Sequence, residues 1–203
     1  VGVFLGEPTS VGPEGEFIIP PTLVPLVGQP ADGSGINAQG NVPQITILST
    51  TAGCTIPPAA AFATAYTSNP NLQAFGCPLD TGGEISLVTQ RFERGRMFWR
   101  DTRQMIVLGD SGTFWRITDN WQEGMPADDP SLIPPSGMSQ PVRGFGLAWR
   151  ENEAFRTTLG WAVGPEFPIT GYWQEFQGGT LLLGDGNQIY AIPAGGTGQY
   201  FRG

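Results

Sequence analysis

Residues 75–113 and 159–197 carry the same segment twice, aligned without a gap at a constant offset of 84. Gly76 falls on Gly160, Ile85 on Ile169, Gln90 on Gln174, Phe92 on Phe176, Gly95 on Gly179, Gln104 on Gln188, and Gly112-Thr113 on Gly196-Thr197. Conservative pairs fill the intervals: Phe75/Leu159, Leu79/Val163, Ser86/Thr170, Met97/Leu181, Met105/Ile189 and Leu108/Ile192. A supersecondary unit that recurs at a fixed spacing constrains the fold more than any single residue does. What recurs is glycine, aromatic and aliphatic, with no recurring acid, base or nucleophile. The repetition therefore predicts a duplicated scaffold.

The chain has 203 residues, enough for one compact domain or two small ones. It has neither His nor Lys; all ten basic residues are Arg. That excludes Ser-His-Asp and Cys-His catalysis, imidazole metal sites, Schiff-base lysines and the P-loop lysine. A net charge of −8 argues against duplex nucleic acid or an anionic membrane surface as the partner. Gly (30) and Pro (19) are abundant, but 11% aromatic residues argue for a packed, turn-rich β globule.

Cys54 and Cys77 are the only cysteines, and the chain lacks the further soft ligands that a zinc site needs. Cys77 lies in the turn Phe75-Gly76-Cys77-Pro78, whose counterpart Leu159-Gly160-Trp161-Ala162 has none. A loop-closing disulfide added to one copy accounts for this, and it implies an oxidising compartment. No apolar run reaches the length of a membrane span. With Val1 in first place, the expectation is an extracellular or cell-surface protein from which an N-terminal export segment has been removed.

Residues 1–53 carry Glu7, Glu14, Glu16 and Asp32 and no base, with prolines at 8, 13, 20, 21, 25, 30 and 43. They read as an extended Pro/Gly-rich arm with an edge-type strand at 44–49. Repeat unit 1 follows at 54–125, with a short helix expected over 59–66 and ended by Asn69-Pro70. A Pro-rich linker occupies 126–140. Repeat unit 2 spans 141–203, its helix expected over 142–152. Each copy then passes its Gly turn and a loop, reaches Gln-x-Phe-x-x-Gly, and continues in two apolar runs. Asp185-Gly186 between the second pair is a two-residue hairpin signal. The fold class is α+β and β-rich: two duplicated small units, each a short helix packed on its own antiparallel hairpin or meander, behind an extended N-terminal arm.

The order helix, Leu/Phe-Gly-x-Pro/Ala, loop, Gln-x-Phe-x-x-Gly-x-Met/Leu resembles the LGFP-type repeats of bacterial cell-envelope proteins. The resemblance covers 62–115 and 145–200. It implies an exported, non-catalytic protein that associates with the cell wall. Neither copy carries the four-letter motif intact, and the arm and linker have no counterpart in the pattern.

Two groups of side chains are candidates for binding. Arg94, Arg96 and Arg100 fall at alternating positions and form a plausible clamp for a carboxylate or phosphate; as a solvated face they would instead pair with Glu93, Asp101 and the acidic arm. Trp121 and Trp173 are candidate platforms for a sugar ring, although Trp in small β-rich units more often fills a core. Asp110-Ser111-Gly112 and Asp185-Gly186-Asn187 lack the ligand series of a calcium loop and read as turns. The expectation is assembly or attachment without catalysis, cofactor or metal. Partners are other copies of the chain or envelope proteins, engaged by Phe17, Ile18, Ile19, Ile45 and Ile47 along a sheet edge. A cell-wall polysaccharide or peptidoglycan-binding module is the alternative, and a glycan-active hydrolase the third reading.

Overall fold

A computed structural model describes residues 53–203. Two short helices, α1 (Ala60–Ser68) and α2 (Pro70–Gln73), precede a four-strand meander: β1 (Gly83–Phe92), β2 (Gly95–Arg100), β3 (Gln104–Gly109) and β4 (Thr113–Thr118). The order then recurs, with α3 (Arg143–Glu151), α4 (Glu153–Leu159), β5 (Phe167–Phe176), β6 (Gly179–Leu183) and β7 (Ile189–Pro193). The chain closes with β8 (Thr197–Gln199) and β9 (Phe201–Arg202). All strand pairs are antiparallel, in the order β8-β4-β3-β2-β1-β5-β6-β7-β9. The strands at the two ends of that order flank Tyr200 in the chain, so the sheet curls into a nearly closed ring.

Registers recur at the offset of 84. Gln90 pairs with Met97 and Gln174 with Leu181; Gly95 pairs with Gly109 and Gly179 with Pro193. Both joints of the ring are self-complementary at the same offset. At the β1–β5 joint Ser86 faces Thr170, and at the β4–β8 joint Phe114 faces Gly198. The correspondence fails at the last strand. Ile106 pairs with Arg116, but Tyr190 pairs with Arg202, two residues beyond its expected partner Tyr200.

Inward side chains fill the ring. Leu87, Phe98, Ile106, Leu108, Phe114, Trp173, Leu182, Tyr190, Ile192 and Tyr200 form one buried cluster, as strand alternation requires. The helices cover the outer face, and here the expectation that each helix packs on its own hairpin is wrong. Phe62, Tyr66, Leu72 and Phe75 of the first segment pack on Phe176, Leu181, Ile189 and Ala191 of the second. Phe145, Ala148, Trp149, Phe155 and Leu159 pack on Phe92, Met97, Met105 and Val107 of the first. The reason is the β1–β5 joint. Each helix pair enters the sheet through a turn hydrogen-bonded to the far end of the other segment's long strand.

That clasp uses the recurring residues. Gln177 N donates to Cys77 O and Glu93 N to Trp161 O, both at 3.0 Å; Gly178 N donates to Phe75 O and Arg94 N to Leu159 O. Gly76 and Gly160 share a φ of +73°, and a Cβ at either would strike Gln177 or Glu93. The struck side chains cap the turns: Gln177 Oε1 accepts from Cys77 N at 3.0 Å, and Glu93 Oε2 from Trp161 N at 2.7 Å. Buried Gln90 and Gln174 donate to the carbonyls of Gly164 and Asp80, each at 2.9 Å. The motif glutamine, phenylalanine and glycines thus have structural work here.

Several local expectations shift. The first helix runs to Ser68, and Asn69-Pro70 starts α2, with Asn69 Oδ1 accepting from Asn71 N. The second helix is followed by α4, and the loops expected before Gln-x-Phe-x-x-Gly are the ten-residue strands β1 and β5. Asp185-Gly186 does not form a two-residue turn. Leu183 pairs with Ile189 and Gly184 N bonds to Gln188 O, so the loop is 184–188. Cys54 and Cys77 form a disulfide with their Cα atoms 5.3 Å apart, tying the entry of α1 to the Gly76 turn. The region read as a linker lies against the second segment, with Ser139 and Ala162 exchanging hydrogen bonds and Leu132 packed on the α3–α4 core.

Candidate functional site

A groove of about 220 Å³ opens where β2 and the loop after β4 meet the start of α3, lined by Val88, Trp99, Asp119, Trp121, Arg143, Gly144, Phe145 and Glu166. Trp99 reaches it because odd-numbered residues of β2 face outward. Asp119 holds the Trp99 indole and the backbone of Trp121. Its Oδ2 accepts from Trp99 Nε1 at 3.0 Å, and its Oδ1 accepts from Trp121 N at 2.9 Å. Gly144 lets α3 approach, since a Cβ there would lie within 3 Å of the Asp119 carboxylate.

Arginines fix the walls. Arg103 donates to Asp119 O at 3.0 and 2.7 Å and to Trp121 O at 2.6 Å, which pins the loop that presents Trp121. Arg143 pairs with Glu166 at 2.8 Å. Among the described residues three non-glycines hold positive φ, and two of them, Arg103 (62°) and Arg143 (48°), stand at this groove. Such backbone costs on the order of 1–3 kcal/mol and concentrates at functional sites. Gln90 Oε1, buried on the same outer face of β1 as Val88, has no partner among the described residues. Its counterpart Gln174 accepts from Ala59 N.

Two half-buried indoles beside carboxylates and a guanidinium offer an apolar ring face with hydrogen-bonding groups at its edge. That combination suits a hydroxylated ring. The volume lies below the ~300 Å³ lower end of sites for drug-sized ligands, leaving room for about one ring. A larger cleft of about 410 Å³ lies beside Met125, Asp128, Asp129, Arg150 and Glu151. It has no aromatic platform, and its Arg150 is engaged with the carbonyls of Pro126 and Ala127. Hydrogen bonds from Ser131 hold the Asp129 carboxyl below its ordinary range.

Of the residues singled out in the sequence, Trp121 lies in the groove. Arg94, Arg96 and Arg100 do not form one clamp. Arg94 sits in the β1–β2 turn and donates to the carbonyls of Thr157 and Thr158 at the end of α4. Arg96 points inward and, with Arg91, pairs with Asp185. Arg100 also points inward, its guanidinium 4.5 Å from the Trp173 ring centroid. Trp173 is a buried strand residue, not a turn residue, and its Nε1 donates to Glu175 at 2.7 Å. Phe17, Ile18, Ile19, Ile45 and Ile47 lie outside the described residues. Trp99, Asp119, Arg143 and Glu166 were missed; the one available signal was Trp121 two positions after an acid at a strand end. No helix among the described residues is long and apolar enough to cross a membrane, and no group of three or more acids there could hold a metal ion. No family model, curated protein or solved structure matches this chain significantly.

Proposed function

We propose that this chain is an exported, non-catalytic attachment module of the bacterial cell envelope, built from two divergent copies of one unit, that binds wall polysaccharide. The observation that carries the reading is the Trp99–Trp121 groove, where Asp119 holds the Trp99 indole and the Trp121 backbone and Arg143 and Glu166 supply polar contacts at the edge. The Cys54–Cys77 disulfide supports a destination outside the reducing cytoplasm. The two segments' equal registers support the duplication, and the resemblance to LGFP-type repeats supports the cell wall as the surface engaged.

Co-sedimentation with purified wall sacculi tests the reading. Truncating an aromatic anchor costs about 2 kcal/mol, so Trp121→Ala should bind roughly thirtyfold more weakly. Glu151→Gln in the larger cleft should bind as wild type does. Wild-type protein that fails to pellet, or Trp121→Ala that pellets equally, would overturn the proposal.

A further inference from the structure

At the rim of the ring formed by β2, β3 and β4, three inward residues carry buried polar atoms with no partner among the described residues: Arg100 Nε, Gln104 Oε1 and Arg116 Nε. Arg100 ends β2, Gln104 opens β3 opposite Thr118, and Arg116 pairs with Ile106. Leaving such a group unmet costs about 1–3 kcal/mol, and more when it is charged. The two guanidiniums lie 4.5 and 5.9 Å from the centroid of the Trp173 ring. Among the described residues neither has a carboxylate within 4 Å.

The acid closest in this network, Glu175, is already engaged. Its Oε1 accepts from Trp173 Nε1 at 2.7 Å and its Oε2 from Thr180 Oγ1 at 2.8 Å, while Thr180 accepts from Arg116 Nη2 at 2.8 Å. Among the described residues, two positive charges therefore share one negative charge. Burial and the neighbouring Arg100 charge act to lower the Arg116 pKa, against Glu175, which raises it. The positions 84 residues further on are Gly184, Gln188 and Tyr200, so the excess cation belongs to this rim alone.

We propose that this rim binds a carboxylate carried on a hydroxylated ring, the uronic-acid unit of an acidic polysaccharide. A guanidinium edge donates two parallel hydrogen bonds to a planar carboxylate. The single excess charge matches a monoanion, whereas a phosphate dianion would overload a site that already holds Glu175. Gln104 Oε1 needs a donor, which a carboxylate lacks and a ring hydroxyl supplies. The inference rests on the polysaccharide reading and deepens it: Arg100 follows Trp99, and Thr118, opposite Gln104, precedes Asp119 of the groove.

Proton–nitrogen NMR of the full chain, reading the arginine Nε–H and tryptophan Nε1–H signals, tests it with digalacturonate and neutral galactobiose. Digalacturonate should move the Arg100 and Arg116 signals to saturation and bind more tightly than the neutral sugar by roughly tenfold, the worth of a charged hydrogen bond. Arg100→Gln should remove that advantage and leave neutral binding unchanged. The titration of the wild-type chain decides the matter even if the variant misfolds. Arginine signals that stay fixed while Trp121 saturates would overturn the carboxylate site and leave the groove reading intact. Tryptophan signals fixed with both sugars would instead overturn the groove, while a saturable Arg100 shift would still uphold the site. A saturable response to a glycerol phosphodiester in place of digalacturonate would overturn the assignment to carboxylate.

Discussion

Gly160→Ala is a stringent test of the clasp between the two segments. Gly160 holds φ +73° and ψ −152°, a region that only glycine occupies comfortably. Placing another residue there costs about 1–3 kcal/mol. The added methyl would also meet Glu93, whose Cδ and Cβ lie 3.1 and 3.2 Å from the ideal Cβ position. Glu93 must then withdraw from Trp161 N, and losing that charge-assisted bond costs roughly 1.5–3 kcal/mol. The sum is about 2.5–6 kcal/mol, a large share of the ~5–15 kcal/mol that holds a domain folded. Urea unfolding followed by tryptophan fluorescence measures it, and the melting temperature should fall by roughly 8–15 °C. In a Glu93→Ala background the same substitution should cost only the backbone share, about 1–3 kcal/mol. Gly160→Ala within ~0.5 kcal/mol of wild type would place it among ordinary surface substitutions and refute the clasp.

Tyr66 of α1 stacks on Phe176 of β5 with centroids 5.4 Å apart. A double-mutant cycle to leucine should return a coupling of about 0.5–1.5 kcal/mol, and a coupling near zero would contradict the exchange of helices. Cys54→Ser/Cys77→Ser should lower stability by about 3 kcal/mol, read as the difference in urea unfolding from the oxidised protein; equal curves would remove the disulfide from the account. Burial raises the Tyr190 and Tyr66 phenols above their ordinary pKa of 10.0, against the lowering effect of the Arg96 and Arg202 charges on Tyr190. A raised folded-state pKa contributes stability that is complete below the unfolded value and lost as pH climbs through the folded one. Stability should thus fall above about pH 10, and Tyr190→Phe should flatten that alkaline limb; an unchanged limb in the variant would count against it.

The hairpins were legible because Met97, Phe98, Gln104 and Leu108 sit in short apolar runs between turn residues. The long strands were not, and the burial along them explains why. In both β1 and β5 the first half alternates between partly covered and exposed residues, and the second half is covered on both faces except at exposed Arg91. A strand that passes from a solvated edge to beneath a helix changes its hydrophobic period midway, so neither template fits all of it. The exchange of helices was hidden for a different reason. Phe145, Trp149 and Phe155 show that something covers them without specifying which strands do. Arg96, Arg100 and Arg116 read as solvent-facing by residue type, yet they point into the ring, where Asp185, Trp173 and Thr180 meet them. Only pairing register reveals that.

The exchange of helices also dictates when the molecule can fold during synthesis. A nascent chain that has emerged only as far as residue 125 shows α1 and α2 with their apolar faces bare, because Phe176, Leu181 and Ile189 have not yet been made. The first meander likewise waits for α3 and α4, and β4 waits for β8. The contacts that complete the core join residues far apart in the chain, so closure follows the loss of entropy in long loops, and the search is slow in the manner of non-local β topologies. A ribosome that stops early therefore releases a sticky first half without its covering surface.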